Sequence, residues 1–178
     1  MKKSILILAL LITSAASAQV RYAENEHTSL GAFIDGGSLD RKDVIGYKTF
    51  DGGLDFMYVN SVISIHVSSE WFPALHNYKD LMAAFGPTWQ IGERAKWEVF
   101  LGGRFGAVRR DSDIDELPRT RWNVGVETQI TYWWTRDFGM FVGSNLTERN
   151  DQEVRGYEVT MVLSARVGVR INLSSGKR

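Results

Sequence analysis

The sequence predicts an all-β fold: an eight-stranded antiparallel up-and-down barrel that crosses a membrane. Three observations predict it. Apolar side chains alternate with polar or small ones along eight runs, the connections between runs alternate short and long, and aromatic residues gather at run ends. A period of two is a strand, because successive side chains point to opposite faces.

The chain opens with "MKKSILILALLITSAASAQV": two lysines, an apolar run from Ile5 to Ile12, then Ala16-Ser17-Ala18. That order reads as a secretory signal peptide, residues 1–18, cleaved before Gln19. Its apolar run is shorter than the roughly 20 residues a spanning helix needs. Residues 19–178 are expected to form a single barrel domain, with no linker and no helix.

The runs follow in order. Residues 29–36 form a short first one. In 52–60, Leu54, Phe56 and Tyr58 oppose Asp55 and Met57. In 62–72, Ile63, Ile65, Val67 and Trp71 oppose Ser64, His66, Ser68 and Glu70. In 80–91, Leu81, Ala83, Phe85, Trp89 and Ile91 oppose Ala84, Gly86, Thr88 and Gln90. In 96–108, Trp97, Val99, Leu101, Phe105 and Ala107 oppose Lys96, Glu98, Gly102, Arg104 and Gly106. In 120–134, Trp122, Val124, Val126, Ile130, Tyr132 and Trp134 oppose Arg121, Asn123, Gly125, Glu127, Gln129 and Thr131. In 137–147, Phe138, Met140, Val142 and Leu146 oppose Gly139, Gly143 and Asn145. The last run, "EVTMVLSARVGVRINL", alternates strictly from Glu158 to Leu173 and sets Arg166 and Arg170 on its polar face.

Short connections fall at Asn60-Ser61, 92–95 and 135–137; longer polar ones fall at 37–51, 73–79, 109–119 and 148–156. That rhythm is an up-and-down barrel with turns at one end and loops at the other. Alternation alone does not say which face is outside: a lipocalin-like soluble barrel is apolar within, a transmembrane barrel apolar without. Strand length decides for the membrane, since a spanning strand needs about 9–11 residues. So does bulk, because Trp71, Trp89, Trp97, Trp122 and Trp134 share the apolar face and eight strands leave a narrow bore. The aromatic positions agree. Tyr58, Trp89, Trp97, Tyr132, Trp134 and Phe138 lie beside the short turns, and Trp71, Trp122 and Tyr157 beside the long loops, as two interfacial girdles.

Composition excludes several function classes. No cysteine is present, so no disulfide or thiolate chemistry operates. Without Lys2 and Lys3, the 21 basic residues fall to 19 against 21 acidic ones, which gives no sign of a nucleic-acid partner. "DSDIDE", residues 111–116, begins like a calcium loop but has Glu116 where glycine belongs and Trp122 where the closing glutamate belongs. No metal or cofactor is expected.

With its leader, eight alternating runs, loop rhythm and girdles, the stretch 29–173 resembles the small eight-stranded outer-membrane barrels of the OmpA/OmpX-like, porin-like group. The resemblance is architectural and carries no signature motif. It implies a Gram-negative outer membrane, with lipid, lipopolysaccharide and other envelope proteins as partners. Such barrels often end on an aromatic residue; here Leu173 closes the strand and "SSGKR" follows.

On the polar faces, Asp55, His66, Glu70, Glu98, Arg104, Arg121, Glu127, Glu158, Arg166 and Arg170 form the expected lumen network. Mixed signs in a narrow bore read as a salt-bridged plug, because buried charge is costly unless paired. The alternative is a narrow porin-like channel or exporter. A third reading is a lipid-A-modifying enzyme using Ser64, His66, Ser68 and Glu70. Same-face neighbours on a strand stand about 7 Å apart, too far for direct proton transfer. The expected protein is therefore non-enzymatic, serving envelope structure, adhesion, or a secretion- or conjugation-type assembly.

Overall fold

A computed structural model describes residues 20–22, 26–35, 51–72, 78–92, 94–109, 120–148 and 161–174. Its strands are β1 (Val20–Tyr22), β2 (His27–Asp35), β3 (Asp51–Val59), β4 (Ser64–Phe72), β5 (Tyr78–Gly86), β6 (Thr88–Ile91), β7 (Trp97–Arg109), β8 (Thr120–Trp133), β9 (Phe138–Glu148) and β10 (Met161–Asn172). They build eight antiparallel staves in the order β2, β3, β4, β5 with β6, β7, β8, β9, β10. The wall closes where Arg166 of β10 pairs with Asp35 of β2, down to Asn172 with Ser29. One rung further, the Leu173 amide donates to the Thr28 carbonyl at 2.7 Å.

The fourth stave is broken by Pro87, which offers no amide to a ladder. Its carbonyl still accepts from the Leu101 amide at 3.3 Å, so both halves stay on β7. β4 pairs with this stave no further than Ser64 opposite Gly86. Below that point β1 takes the vacant edge of β6, with Arg21 opposite Gln90.

Stepping round the wall from Ser29 through Met57, His66, Ala84, Arg104, Gly125 and Thr147 reaches Val162, whereas at the seam Ser29 faces Asn172, a stagger of about ten residues along β10. For eight strands that stagger tilts them roughly 40° from the barrel axis.

Each short turn has a local cause. Asn60 Oδ1 accepts from the amides of Val62 and Ile63, both at 2.8 Å. Gly92 takes a φ of 86°, and its carbonyl accepts from Ala95 at 3.0 Å. Thr135 Oγ1 accepts from the Phe138 amide at 3.0 Å. The chain therefore turns tightly at one end, and the segments 36–50, 73–77, 110–119 and 149–160 join strands at the other.

Burial alternates residue by residue along the staves. The outward set includes Leu54, Phe56, Leu101, Phe105, Val124, Val126, Ile130, Val142, Val167 and Val169, all exposed. The outer belt is apolar over most of its height, and the outward-facing charges on the described strands, Lys79, Arg109 and Glu148, lie toward the loop end. Asp35, Asp55, Glu70, Asp80, Glu98, Arg104, Glu127, Arg166 and Arg170 lie inside.

Candidate functional site

The lumen is the only place where the described residues bring many chemically active groups together, and it is filled in three tiers. The largest tier lies toward the loops. Glu127 on β8 meets His66 Nδ1, an Arg166 Nη2 donor and, at 3.3 Å, an Arg104 Nη1 donor. Asp55 on β3 meets the other ring nitrogen of His66 at 2.8 Å and accepts from Arg170. Both ring nitrogens of His66 thus face carboxylates. Arg104 also reaches Glu70 at 3.6 Å and Asp80 at 3.5 Å. Higher still, Ser164 donates to Asp35 at 2.9 Å.

The arginines cross the bore rather than line it. Arg166 and Arg170 are the largest fully buried side chains. Their guanidinium planes lie over Phe33 and Phe141, with centroid distances of 5.2 and 4.7 Å. Turned with its oxygen toward Arg170, the Gln129 amide accepts from Nη1 and Nη2, each at 2.8 Å.

Beneath this network comes an apolar waist of Met57, Val59, Ala84 and Phe100. The edge of Phe100 meets His66 at 5.9 Å, so the waist touches the network directly. Below it, Glu98 is a second hub. It accepts from Trp133 Nε1 at 2.8 Å and Gln90 Nε2 at 3.0 Å, with His27 Nε2 at 3.4 Å.

Of the sequence-selected lumen residues, Asp55, His66, Glu70, Glu98, Arg104, Glu127, Arg166 and Arg170 are buried inside the wall. All but Glu98 join the upper network. Arg121 pairs with Val108 along the backbone, and Glu158 lies outside the described residues. On the outer face, Tyr58, Trp89, Trp97, Tyr132, Trp134 and Phe138 stand at the turn end, where Trp97 and Tyr132 approach to 4.6 Å. Trp71 and Trp122 stand exposed at the loop end; Tyr157, "DSDIDE" and the charged stretch 149–156 lie outside the described residues. Among the described residues no acidic or histidine cluster is arranged to hold a metal.

The selection missed His27, Asp35 and Asp80. His27 reads from the sequence as preceding the first strand, yet it is the first residue of β2 and points inward. Asp35 and Asp80 carried a usable signal, since each neighbours an outward aliphatic residue, Ile34 or Leu81. The reading of the lumen as small and polar also needs correction: Phe33, Phe100, Phe141 and Trp133 are buried within it. Glycines make the room. A Cβ at Gly102 would stand 2.5 Å from the Phe100 ring, and one at Gly168 2.5 Å from Phe141. Gly53 and Gly139 lie likewise beneath Phe33 and Trp133.

A closed eight-stave wall, with an apolar outer belt and an ionic lumen, matches solved barrels over most of its length. Outer membrane protein H (OprH) of P. aeruginosa aligns with a TM-score of 0.62 at 10% identity, covering 83% of this chain and 99% of that one. This is the fold of the small outer-membrane β-barrels. Neisserial surface protein A gives a TM-score of 0.51 at 16% identity over 82% of this chain and 95% of its own. A de novo designed transmembrane β-barrel gives 0.54 at 11% identity, covering 84% and 98%. No family model and no curated protein matches the sequence. A fold shared with a designed barrel does not assign an activity.

Proposed function

We propose that the protein is an integral outer-membrane barrel with a closed lumen, exported through a signal peptide at residues 1–18. Its role is non-enzymatic and lies outside the bilayer: envelope structure, adhesion, or a subunit of a larger envelope assembly. The filled bore carries this reading. Arg166 and Arg170 reach into it, bound to Glu127 and Asp55, above an apolar cluster of Met57, Val59, Ala84 and Phe100. The apolar outer belt supports the membrane and is the face that meets lipid and lipopolysaccharide.

The surroundings of His66 support the non-enzymatic role. Its nitrogens are taken by Asp55 and Glu127, while Ser64 Oγ accepts from Thr88 Oγ1 at 2.7 Å. Neither ring nitrogen of His66 is left to serve Ser64 or Ser68 as a base. Planar-bilayer recording of the full chain tests the closed lumen. The expected trace shows no steady conductance; a large, stable ohmic conductance would show a channel.

A further inference from the structure

One seam of the wall is paired differently from the rest. Among the described residues, β4 and β5 hold five rungs in succession, Ser64 with Gly86 to Ser68 with Met82. Every other seam holds at least seven, as Gly52 with Trp71 to Tyr58 with Ile65 between β3 and β4. Below Gly86 the stave breaks at Pro87, and β1 rather than β4 pairs with β6. Above Met82 the ladder skips two rungs and resumes at Trp71 with Lys79.

Side chains bridge the skipped rungs. The Glu70 amide donates to Asp80 Oδ1 at 2.8 Å, and the Asp80 carbonyl accepts from Ser69 Oγ at 2.8 Å. A regular rung would join that amide to that carbonyl directly. The lumen network does not clasp the seam at its middle. His66 of β4 is held by Asp55 of β3 and Glu127 of β8, while its cross-strand partner on β5 is Ala84. Local opening is governed by the bonds it must break, so a short, interrupted ladder opens before a continuous one.

The interruption lies two residues below Trp71, whose exposed ring marks the headgroup level at the loop end. Ser69 and Leu81 flank it on the lipid side, and Glu70, Asp80 and Arg104 stand behind it. Parting the strands there joins the apolar belt to the polar end of the lumen.

We propose that β4 and β5 form a lateral gate, opening the wall between the loop-side lipid leaflet and the Arg104 end of the lumen. Ser69 and Asp80 latch it, and Pro87 sets its lower limit. The gate goes beyond the scaffold role and rests on the outer-membrane reading given above.

Thiol labelling of the full chain in lipid vesicles tests it, since the sequence holds no cysteine. Ser68 is buried on the inner face at the last intact rung, and Thr131 of β8 is equally buried behind unbroken ladders. N-dodecylmaleimide, which partitions into lipid, should modify Ser68→Cys at least about tenfold faster than Thr131→Cys. A sulfonated, water-soluble maleimide should be slow at both. Adding Ser69→Ala to Ser68→Cys removes one latch bond and should speed lipid-side labelling about threefold to tenfold. Thr128→Ala is the control: it deletes an outward hydroxyl that bonds the Phe100 carbonyl across β7 and β8, and should leave the rate unchanged. An unreacted Ser68→Cys, equal rates at the two cysteines, faster attack by the sulfonated reagent, or an equal effect of Thr128→Ala would each overturn the gate. Heat-modifiable migration shows that each variant is folded. Wild type recovered without detergent contradicts the membrane reading, whereas a membrane-inserted chain that leaves Ser68→Cys unlabelled contradicts the gate alone.

Discussion

The two faces of β8 are made by one run of residues and obey opposite rules. Outward, Trp122, Val124, Val126 and Ile130 are exposed. Inward, Asn123, Glu127, Gln129 and Thr131 are buried in a shared bonding pattern. The outer face is degenerate, because any apolar side chain of moderate size satisfies lipid. The inner face is specific, because each charge there has named partners and little water to replace them. The difference teaches where substitutions are felt and why.

The largest effect should come from removing a hub of the inner face. Glu127→Ala leaves Arg166 and one side of His66 without their carboxylate and removes one of the three that Arg104 reaches. Deleting one member of a buried ionic set costs about 3–5 kcal/mol. Urea unfolding in lipid vesicles reads it, and a loss below about 1 kcal/mol would mean the network is not structural. Charge on the outer face comes next. Val126→Arg places a cation at about mid-depth of the belt and should cost about 2–4 kcal/mol in the same assay. An unchanged midpoint there would reverse the assignment of the two faces.

The third prediction sharpens the comparison within the lumen. Gly168→Ala drives a methyl against the Ala32 carbonyl and into the Phe141 ring at 2.5 Å, which also lies against Arg170. Overpacking of this kind costs about 1–3 kcal/mol. Adding Phe141→Leu should restore part of the loss, since it removes the ring edge that the methyl meets.

How much of this was legible follows from the same contrast. The outer face of β8 could be read directly, since period two assigns Val124, Val126 and Ile130 together. Glu127 could be placed inward by the same parity. Its partners could not, because they come from β4, β7 and β10 and depend on the stagger of the closed wall. The inward aromatics left a parity signal that the glycines masked: Phe100 stands two residues from Gly102 on β7 and shares its face, as Phe141 does with Gly139 and Gly143 on β9, while the room the glycine gives the ring shows only in the structure. Trp133 did leave a trace. It is followed by Trp134, and two adjacent residues of a strand cannot face the same way. The N-terminal strand β1 had no periodic signal, being only 3 residues long.

The facing of the wall is the central claim, and the absence of cysteine makes it directly measurable. A nitroxide attached to a single cysteine at Val126, in lipid vesicles, reports by electron paramagnetic resonance whether oxygen or a water-soluble nickel complex reaches it. The barrel described here predicts strong relaxation by oxygen, which partitions into lipid, and almost none by the nickel complex. Ready access for the nickel complex at Val126 would place that face in water and contradict the account.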